Sequence, residues 1–201
     1  MYADHDIDYY NGSLYSPVLA ENSSCVQRWS LETSKQTWEW CPSKKIGYSI
    51  NSIALTKDGS DILMTTYQPA EGVIKVSMDS KNIVWRLNPD GTGDLAVDIP
   101  VYGLALQHDI SLFDCDSPQH DLCFLVYDNG SESRGYSQIL SYGVNETKMT
   151  ANLLRSFTRD GWFEGHSGGV HQMPNGEWLI SIASLSPQTK TSYLMVSTEG
   201  N

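Results

Sequence analysis

The side chains in this sequence that could carry out covalent chemistry are above all its five histidines. Imidazole can act as a nucleophile or as an acid near neutral pH, and an arginine such as Arg134 presents a fixed fork of donors to an oxyanion. His5 lies in an acidic N-terminal segment, and His120 lies in a polar loop between two cysteines. The remaining candidates for a reactive site are His108, His166 and His171.

The turn glycines allow the repeated segments to be aligned and these histidines to be compared. When Gly59 is set against Gly176, His166 falls on the position of Ser49, just before a strand. That strand would be the inner one of its sheet, so the position points toward the centre of the molecule. The alignment therefore singles out His166.

In the intervening repeat Ile110 aligns with Ile53, which places His108 on the position of Asn51. Successive side chains in a strand alternate between the two faces of a sheet. We therefore expect His108 and His166 on one side and His171 on the other.

Short strands separated by tight turns must position these residues, because helical periodicity is almost absent. One pattern is an apolar strand, an Asp-Gly or Asn-Gly turn and a second apolar strand, in residues 51–66 and 169–183. Such turns supply the positive φ of a hairpin. A second pattern, of two strands joined by a polar turn with an aromatic residue near the end, covers residues 25–40, 73–87 and 137–157.

The two patterns alternate with a period of about 50 to 60 residues, as Leu63, Leu125 and Leu179 illustrate. The sequence thus predicts an all-β fold, a β-propeller of four-stranded antiparallel blades, and a β-sandwich of unrelated hairpins is the alternative. About three to three and a half blades are recognisable, fewer than a closed ring needs. Residues 1–24 are interpreted as an extension or partial strand, and residues 25–201 as a partial propeller domain. The open sheet edges of such an arc could pair with another protein or with a second copy.

The composition excludes several classes of protein. Of 201 residues 40% are apolar, and the formal net charge is −11, so the chain can build a core but lacks the basic surface of a nucleic-acid binder. No apolar run is long enough to cross a membrane. The first ten residues are acidic and do not resemble a secretion signal, so we expect that such a signal was removed or that the chain is a fragment.

Four Asn-x-Ser/Thr triplets lie in turn-like, polar surroundings. They predict a glycoprotein and, with the cysteines discussed next, a secreted or extracellular setting. The predicted glycosylation sites are Asn11, Asn22, Asn129 and Asn145.

The four cysteines form two pairs that are close in sequence, Cys25 with Cys41 and Cys115 with Cys123. Each pair brackets a predicted turn, so a hairpin would bring the two sulfurs together. Four cysteines allow three pairings, of which we favour this local one, and four buried free thiols are the alternative. Since no Cys-x-x-Cys, His-Glu-x-x-His or phosphate-loop motif is present, we predict no metal and no organic cofactor.

Several short motifs follow one another between residues 24 and 184. They are Asn51-Ser52-Ile53 before Lys57-Asp58-Gly59, Ile83-Val84-Trp85-Arg86-Leu87, Gln107-His108-Asp109, Asp128-Asn129-Gly130 with Arg134, and Gly168-Gly169-Val170 before Met173-Pro174-Asn175-Gly176. In their order and combination these motifs resemble the arylsulfotransferase (arylsulfate sulfotransferase) family.

The resemblance implies a six-bladed propeller, a secreted or periplasmic setting, and transfer of a sulfuryl group from a phenolic sulfate ester to a phenol. In that family a histidine at the centre of the ring is transiently sulfated. Carried to this sequence, the resemblance implies His166 as the nucleophile, with His108 and Arg134 holding the anion. The substrate-binding candidates are Ser49, Asn51 and His171.

Two features favour a different function. Ser49 stands where the family's His-x-Asn-Ser pattern has a histidine, and a glycan on Asn129 would crowd the mouth of the channel. The alternative is therefore a catalytically inactive secreted propeller that binds another protein or an extracellular ligand. A β-rich structural domain of a secreted assembly is a third interpretation.

Overall fold

The computed structural model describes residues 6–20, 23–42, 49–66, 72–88, 92–97, 104–182 and 192–196. These residues form sixteen β-strands in four sheets. The described part of the chain contains no helix that is long and apolar enough to cross a membrane.

The strands follow the chain order within nearly every sheet, each pairing with the next in an antiparallel meander. The first sheet contains β1 (Asp8–Tyr10), β2 (Ser13–Ala20), β3 (Ser23–Ser30) and β4 (Gln36–Trp40). The second contains β5 (Ile50–Leu55), β6 (Asp61–Thr66), β7 (Gly72–Ser77) and β8 (Ile83–Leu87). The third contains β10 (Gln107–Phe113), β11 (Leu122–Asp128), β12 (Gln138–Asn145) and β13 (Thr150–Phe157), with the short β9 (Ala96–Val97) parallel to β13. The fourth contains β14 (Gly169–Gln172), β15 (Trp178–Ile182) and β16 (Ser192–Val196).

The structure corrects the predicted boundary at residue 24. Residues 8–20 form two strands of the first sheet, and β2 pairs with β3 along its whole length. The hairpin between β1 and β2 turns at Asn11 and Gly12, both with positive φ, as the hairpin between β5 and β6 turns at Gly59. The N-terminal segment is therefore part of a complete first blade, and the described residues contain four blades, the last with three strands.

Adjacent sheets stack face to face, because alternating apolar residues leave both faces of the inner blades apolar. Trp38, Ile62 and Met64 pack between the first two blades. Trp85, Phe124 and Tyr142 pack between the second and third, and Tyr127, Trp162 and Ile180 pack between the third and fourth. The core is thus a series of three interfaces between blades.

Both predicted local disulfides are present, Cys25–Cys41 and Cys115–Cys123, and no cysteine is free. The first joins the start of β3 to the end of β4, and the second joins the end of β10 to the start of β11. The hairpin argument is confirmed because antiparallel neighbours hold the two Cα atoms 4.4 and 5.4 Å apart.

Candidate functional site

The inner strands of the second and third blades each begin with a β-bulge. In β5 the pairing with β6 shifts between Ile50 and Ser52, which leaves Asn51 as the extra residue. In β10 the pairing with β11 shifts between Gln107 and Asp109, which leaves His108 in the same position. The alignment of His108 with Asn51 is therefore matched by the structure, and bulges are known to redirect side chains near functional sites.

The bulges also correct the expectation from strand alternation. His108 is the bulged residue, so it does not follow the alternation of β10. His166 lies in a bend before β14 begins at Gly169, so it does not belong to a strand. Strand alternation therefore gives no basis for placing His108 and His166 on one side of a sheet and His171 on the other.

Asn51 links the second blade to the third. Its Nδ2 donates a hydrogen bond of 2.7 Å to the carbonyl oxygen of Gln107, the residue before His108. Ser49, the position with which His166 aligns, is half-buried just before β5. The amide of Asn51 thus holds the starts of two inner strands together.

A buried turn follows β11. It lies at the end of the blade where β10 starts, because Asp128 pairs with Gln107. The carboxylate of Asp128 has no exposed surface and accepts hydrogen bonds from Ala105 N, Gly130 N and Gln138 Nε2. It also accepts a bond of 2.7 Å from Arg134 Nη1. The turn is therefore held by a buried ion pair with several additional hydrogen bonds.

Arg134 is a structural partner in this turn. Its Nε donates to the carbonyl oxygen of Tyr136, its guanidinium lies 4.8 Å from the centre of the Tyr136 ring, and its side chain is only 11% exposed. Asp128 compensates its charge. The anion-binding role predicted for Arg134 remains a prediction.

Asn129 fixes the loop that carries His166. Its Nδ2 donates to the carbonyl oxygens of Glu164 and Ser167, at 2.6 and 2.8 Å, on either side of His166. Ser137 completes the contact by donating to the carbonyl oxygen of Asn129 and accepting from Glu164 N. The motif around Asn129 therefore holds the loop that carries His166 in place.

The prediction of a glycan on Asn129 is corrected by this geometry. The side chain has no exposed surface, and its Nδ2, the atom that would carry the sugar, is bonded to two carbonyl oxygens. Of the other sites, Asn11 is exposed, Asn145 donates to Gln119 O, and Asn22 lies outside the described residues. Glycosylation at those three positions remains a prediction.

The side chain of His166 is exposed, and a carboxyl group lies two residues before it. Glu164 is only 7% exposed, and this burial raises its pKa, while a hydrogen bond from Ser167 and the charge of His166 partly offset the effect. An exposed imidazole on a loop held at both ends, beside a buried carboxyl group, can exchange protons or attack an electrophile.

We call the residues of these contacts, together with the two histidines beside them, the hub-end cluster. Its members are Asn51, Gln107, His108, Asp128, Asn129, Glu164 and His166. They come from segments far apart in the sequence, and all lie where the inner strands start and β11 ends.

A second set of polar contacts repeats around the hub and was not anticipated. Asp6 accepts a hydrogen bond from Ile53 N, Ser52 Oγ from Ile110 N, and Asp109 from Val170 N, at 2.9, 3.0 and 2.7 Å. In each case a side-chain oxygen in or just before the inner strand of one blade accepts from an edge amide in the inner strand of the next blade. We call Asp6, Ser52 and Asp109 the hub clasps. The motif Gln107-His108-Asp109 contained one of them, but sequence alone did not reveal its partner.

Two of the hub clasps, Asp6 and Asp109, line a hub cavity of about 450 Å³. His171, predicted as substrate-binding, lines this cavity with Asp109 and Ser181, away from the hub-end cluster. Because Asp6, Asp8 and Asp109 also line it, the cavity is acidic. An anionic ester would be repelled there, so the hub-end cluster is the better candidate site for such a substrate.

Burial raises the pKa of Asp109, and the negative charge of Asp6 adds to the effect. A raised pKa means that the folded state binds this proton more tightly than the unfolded state, so the contribution of Asp109 to stability falls as pH rises through its pKa. We expect Asp109→Asn, which stays neutral and keeps one acceptor oxygen, to gain stability relative to the unsubstituted protein as the pH rises above about 4, the ordinary pKa of an aspartate. Urea unfolding at a series of pH values from about 4 upward measures the difference.

Asp160→Asn, at an exposed carboxylate, controls for the change of net charge. If the stabilities of Asp109→Asn and of the unsubstituted protein ran parallel over the whole range, the pKa of Asp109 would not be raised by folding.

A larger groove of about 850 Å³ lies between the second and third blades. Inside it Lys75 Nζ pairs with Glu146 and Asp61 at 2.7 and 3.2 Å, and Trp85 Nε1 donates to Glu146. These charges compensate one another, so they stabilise the junction of the blades. Within the described ranges, no group of three or more His, Cys, Asp or Glu side chains is arranged to hold a metal ion.

Comparison with known proteins identifies the fold. No protein-family model and no curated protein matches the chain. Among solved structures it is similar to hydrazine synthase of Kuenenia stuttgartiensis (TM-score 0.57, 15% identity, 92% of this chain and 42% of that one). It is also similar to the WD40 repeats of RRP9 (0.52, 10%, 92% and 47%) and to the WD40 domain of Toxoplasma gondii coronin (0.50, 11%, 88% and 42%).

WD40 repeats are the blades of β-propellers, so the predicted propeller of four-stranded antiparallel blades is confirmed. The chain spans less than half the length of each of these structures. At such low identity the likeness concerns the fold alone.

Proposed function

We propose that the hub-end cluster transfers a sulfuryl group from a phenolic sulfate ester to a phenol, with His166 as the nucleophile. The observation that carries the proposal is the convergence of the motifs. The bulge residues Asn51 and His108 and the clamp from Asn129 to the His166 loop form one connected set at the hub. These residues are far apart in the sequence, so only the fold brings them together. Group transfer requires several side chains to be held close to one another around the substrate.

Sulfuryl transfer then proceeds in two steps, sulfation of His166 and transfer from His166 to the acceptor phenol. A ring nitrogen of His166 attacks sulfur, the N–S bond forms as the bond from sulfur to the aryl oxygen breaks, and the departing phenolate takes a proton from His108. The acceptor phenol then returns a proton to His108 while its oxygen attacks sulfur, and the N–S bond breaks. Both histidines end as they began.

The clamp from Asn129 supports this role for His166. Two hydrogen bonds fix the backbone on both sides of the histidine while its side chain stays exposed. Little ordering of the loop is then needed when the substrate binds, which is an advantage for a nucleophile.

We expect His166→Ala to lower sulfuryl transfer from 4-nitrophenyl sulfate to phenol by at least about a thousandfold, because the covalent intermediate can no longer form. Release of nitrophenolate measures the rate. Incubation with the donor alone should add one sulfuryl group to His166, which peptide mass spectrometry detects.

His171→Ala is the matched control, since His171 is also exposed but lines the hub cavity. It should retain transfer. An unsubstituted protein that neither releases nitrophenolate nor gains mass on His166 would refute the proposed activity.

The second candidate function is a non-catalytic module that binds a protein or another extracellular ligand. The ion pair between Arg134 and Asp128 favours it, because the guanidinium expected to hold a sulfate is already compensated by a buried carboxylate. A folded protein without sulfation of His166 would support this candidate.

For either function we propose a secreted or secretory-pathway setting. The two disulfides are compatible with an oxidising compartment, where such bonds persist.

A further inference from the structure

Three fully buried side chains carry polar atoms that have no hydrogen-bond partner among the residues that the structure describes. Gln107 has no exposed surface, and both its Nε2 and its Oε1 are such atoms. Thr65 Oγ1 and the hydroxyl oxygen of Tyr142 are two more, again in side chains without exposed surface. Buried polar groups in folded proteins are nearly always hydrogen-bonded, so these four atoms call for a partner.

Thr65 faces the third blade from the second. It is opposite Val73 in the sheet, and Val73 belongs to the core between these two blades. Side chains that are opposite each other in a sheet share a face. On its other side Thr65 is opposite Ser52, whose Oγ accepts a hydrogen bond from Ile110 N of the third blade. The hydroxyl of Thr65 therefore lies at the junction of the second and third blades.

Gln107 and Tyr142 face this junction from the third blade. Tyr142 belongs to the same core, and Gln107 is opposite Asp128, which lies two positions after the core residue Val126. Burial raises the pKa of the Tyr142 hydroxyl, and the negative charge of Asp128 adds to the effect, so this hydroxyl lies within electrostatic reach of Asp128. The unpaired atoms of Gln107 and Tyr142 are therefore grouped around one buried carboxylate.

The chemistry of these atoms selects the ligand. In Gln107 the Nε2 is a donor and the Oε1 an acceptor, and a hydroxyl group is both. Water donates and accepts, so it can satisfy both ends of the amide, whereas a metal cation cannot pair with a donor and an anion cannot pair with an acceptor. Arg134 already compensates the charge of Asp128, so no ion is required. Because the three side chains are fully buried, a larger organic ligand would have no access to them.

We propose that the junction of the second and third blades holds internal water, bonded to the amide of Gln107 and to the hydroxyl groups of Thr65 and Tyr142. Internal water in proteins makes about three hydrogen bonds to otherwise unsatisfied groups and is costly to remove. Here it connects β6 of the second blade with β10 and β12 of the third, beside the turn of Asp128. This role is separate from any reaction at the hub-end cluster.

Thr65→Val tests the proposal, because valine has nearly the shape of threonine but no hydroxyl group. With water bound, the substitution removes a hydrogen bond, and the urea concentration at half-unfolding should fall by roughly 0.5 M. Tyr142→Phe should lower it for the same reason. If the two hydroxyl groups were buried in a dry core, their removal should instead raise this concentration. A rise, or no change, in both variants would overturn the proposal.

Thr66 supplies the matched control. It is adjacent to Thr65 and only 1% exposed, and its hydroxyl donates to the carbonyl oxygen of Gly72. Thr66→Val therefore loses a hydrogen bond to the protein itself. Its effect on urea unfolding gives the size of the loss to be expected for a bonded hydroxyl in this strand.

Nuclear Overhauser effects between water and methyl protons detect the water directly. The methyl group of Thr65 should show a cross peak with the sign of long-lived water. Thr66, which lies two positions after Met64 and so faces the first blade, should show none. Absence of the cross peak at Thr65, or an equal one at Thr66, would contradict the proposed site. Neither measurement depends on sulfuryl transfer, which is assayed separately.

Discussion

Replacing Arg134 with alanine is expected to destabilise the domain by about 3–5 kcal/mol. The guanidinium lies 2.7 Å from a carboxylate of Asp128 that has no exposed surface. Removal of the arginine leaves this negative charge buried without its partner, which costs more than the ion pair contributes in itself. Urea unfolding at neutral pH, monitored by tryptophan fluorescence, measures the loss.

Two variants separate this effect from a general effect of charge. Lys57→Ala breaks an ion pair with Asp114 in which both side chains are more than 80% exposed, and no measurable loss is expected. Asp128→Asn combined with Arg134→Ala removes both charges and should recover part of the stability lost by Arg134→Ala alone. Equal losses for Arg134→Ala and Lys57→Ala would show that the pair at Asp128 is not buried.

Gly168→Ala is expected to cost about 3 kcal/mol or more. Gly168 has φ +124°, where side chains other than glycine are strained, and a Cβ built on it would overlap the ring of Tyr127. About 1 kcal/mol comes from the backbone and roughly 2 from displacement of the ring, which also packs edge-on against Trp162. Thermal unfolding gives the stability.

The same substitution should also move the loop clamped by Asn129 and so reduce any activity of His166. Gly161→Ala is the control, because Gly161 has φ +71° but nothing lies within 4 Å of its added Cβ. It should show only the backbone cost, about 1 kcal/mol. If the two variants were equally stable, contact with Tyr127 would not be what requires glycine at position 168.

Local signals in the sequence predicted much of the fold. The Gly-containing turns and alternating strands located the hairpins β5–β6 and β14–β15, and the polar turns located β3–β4, β7–β8 and β12–β13. The hairpin β1–β2 was not predicted although Asn11-Gly12 is the same kind of signal, because β1 has only the three residues Asp-Tyr-Tyr and gives no apolar alternation. The local disulfides were predictable since a hairpin brings nearby cysteines together.

The candidate site was predicted less completely. The sequence selected the motifs around Asn51, His108, Asn129 and His166, and the structure connects them. The structure pairs Arg134, predicted to hold an anion, with the carboxylate of Asp128, and it buries Asn129, a predicted glycan site, against two carbonyl oxygens. A sequence triplet is read without knowledge of burial, so it cannot distinguish an exposed asparagine from a buried clamp.

Strand pairing within a blade depends on residues that are close in the chain, and for this reason turn chemistry and the alternation of apolar residues determined the blades of this protein. Contacts between blades join residues far apart in the chain, such as Asp6 with Ile53, 47 positions apart, and Asp109 with Val170, 61 positions apart. Those contacts depend on bulges, on burial and on the angle between sheets, which no local pattern encodes. Only the tertiary structure could therefore decide which polar side chains hold the hub together.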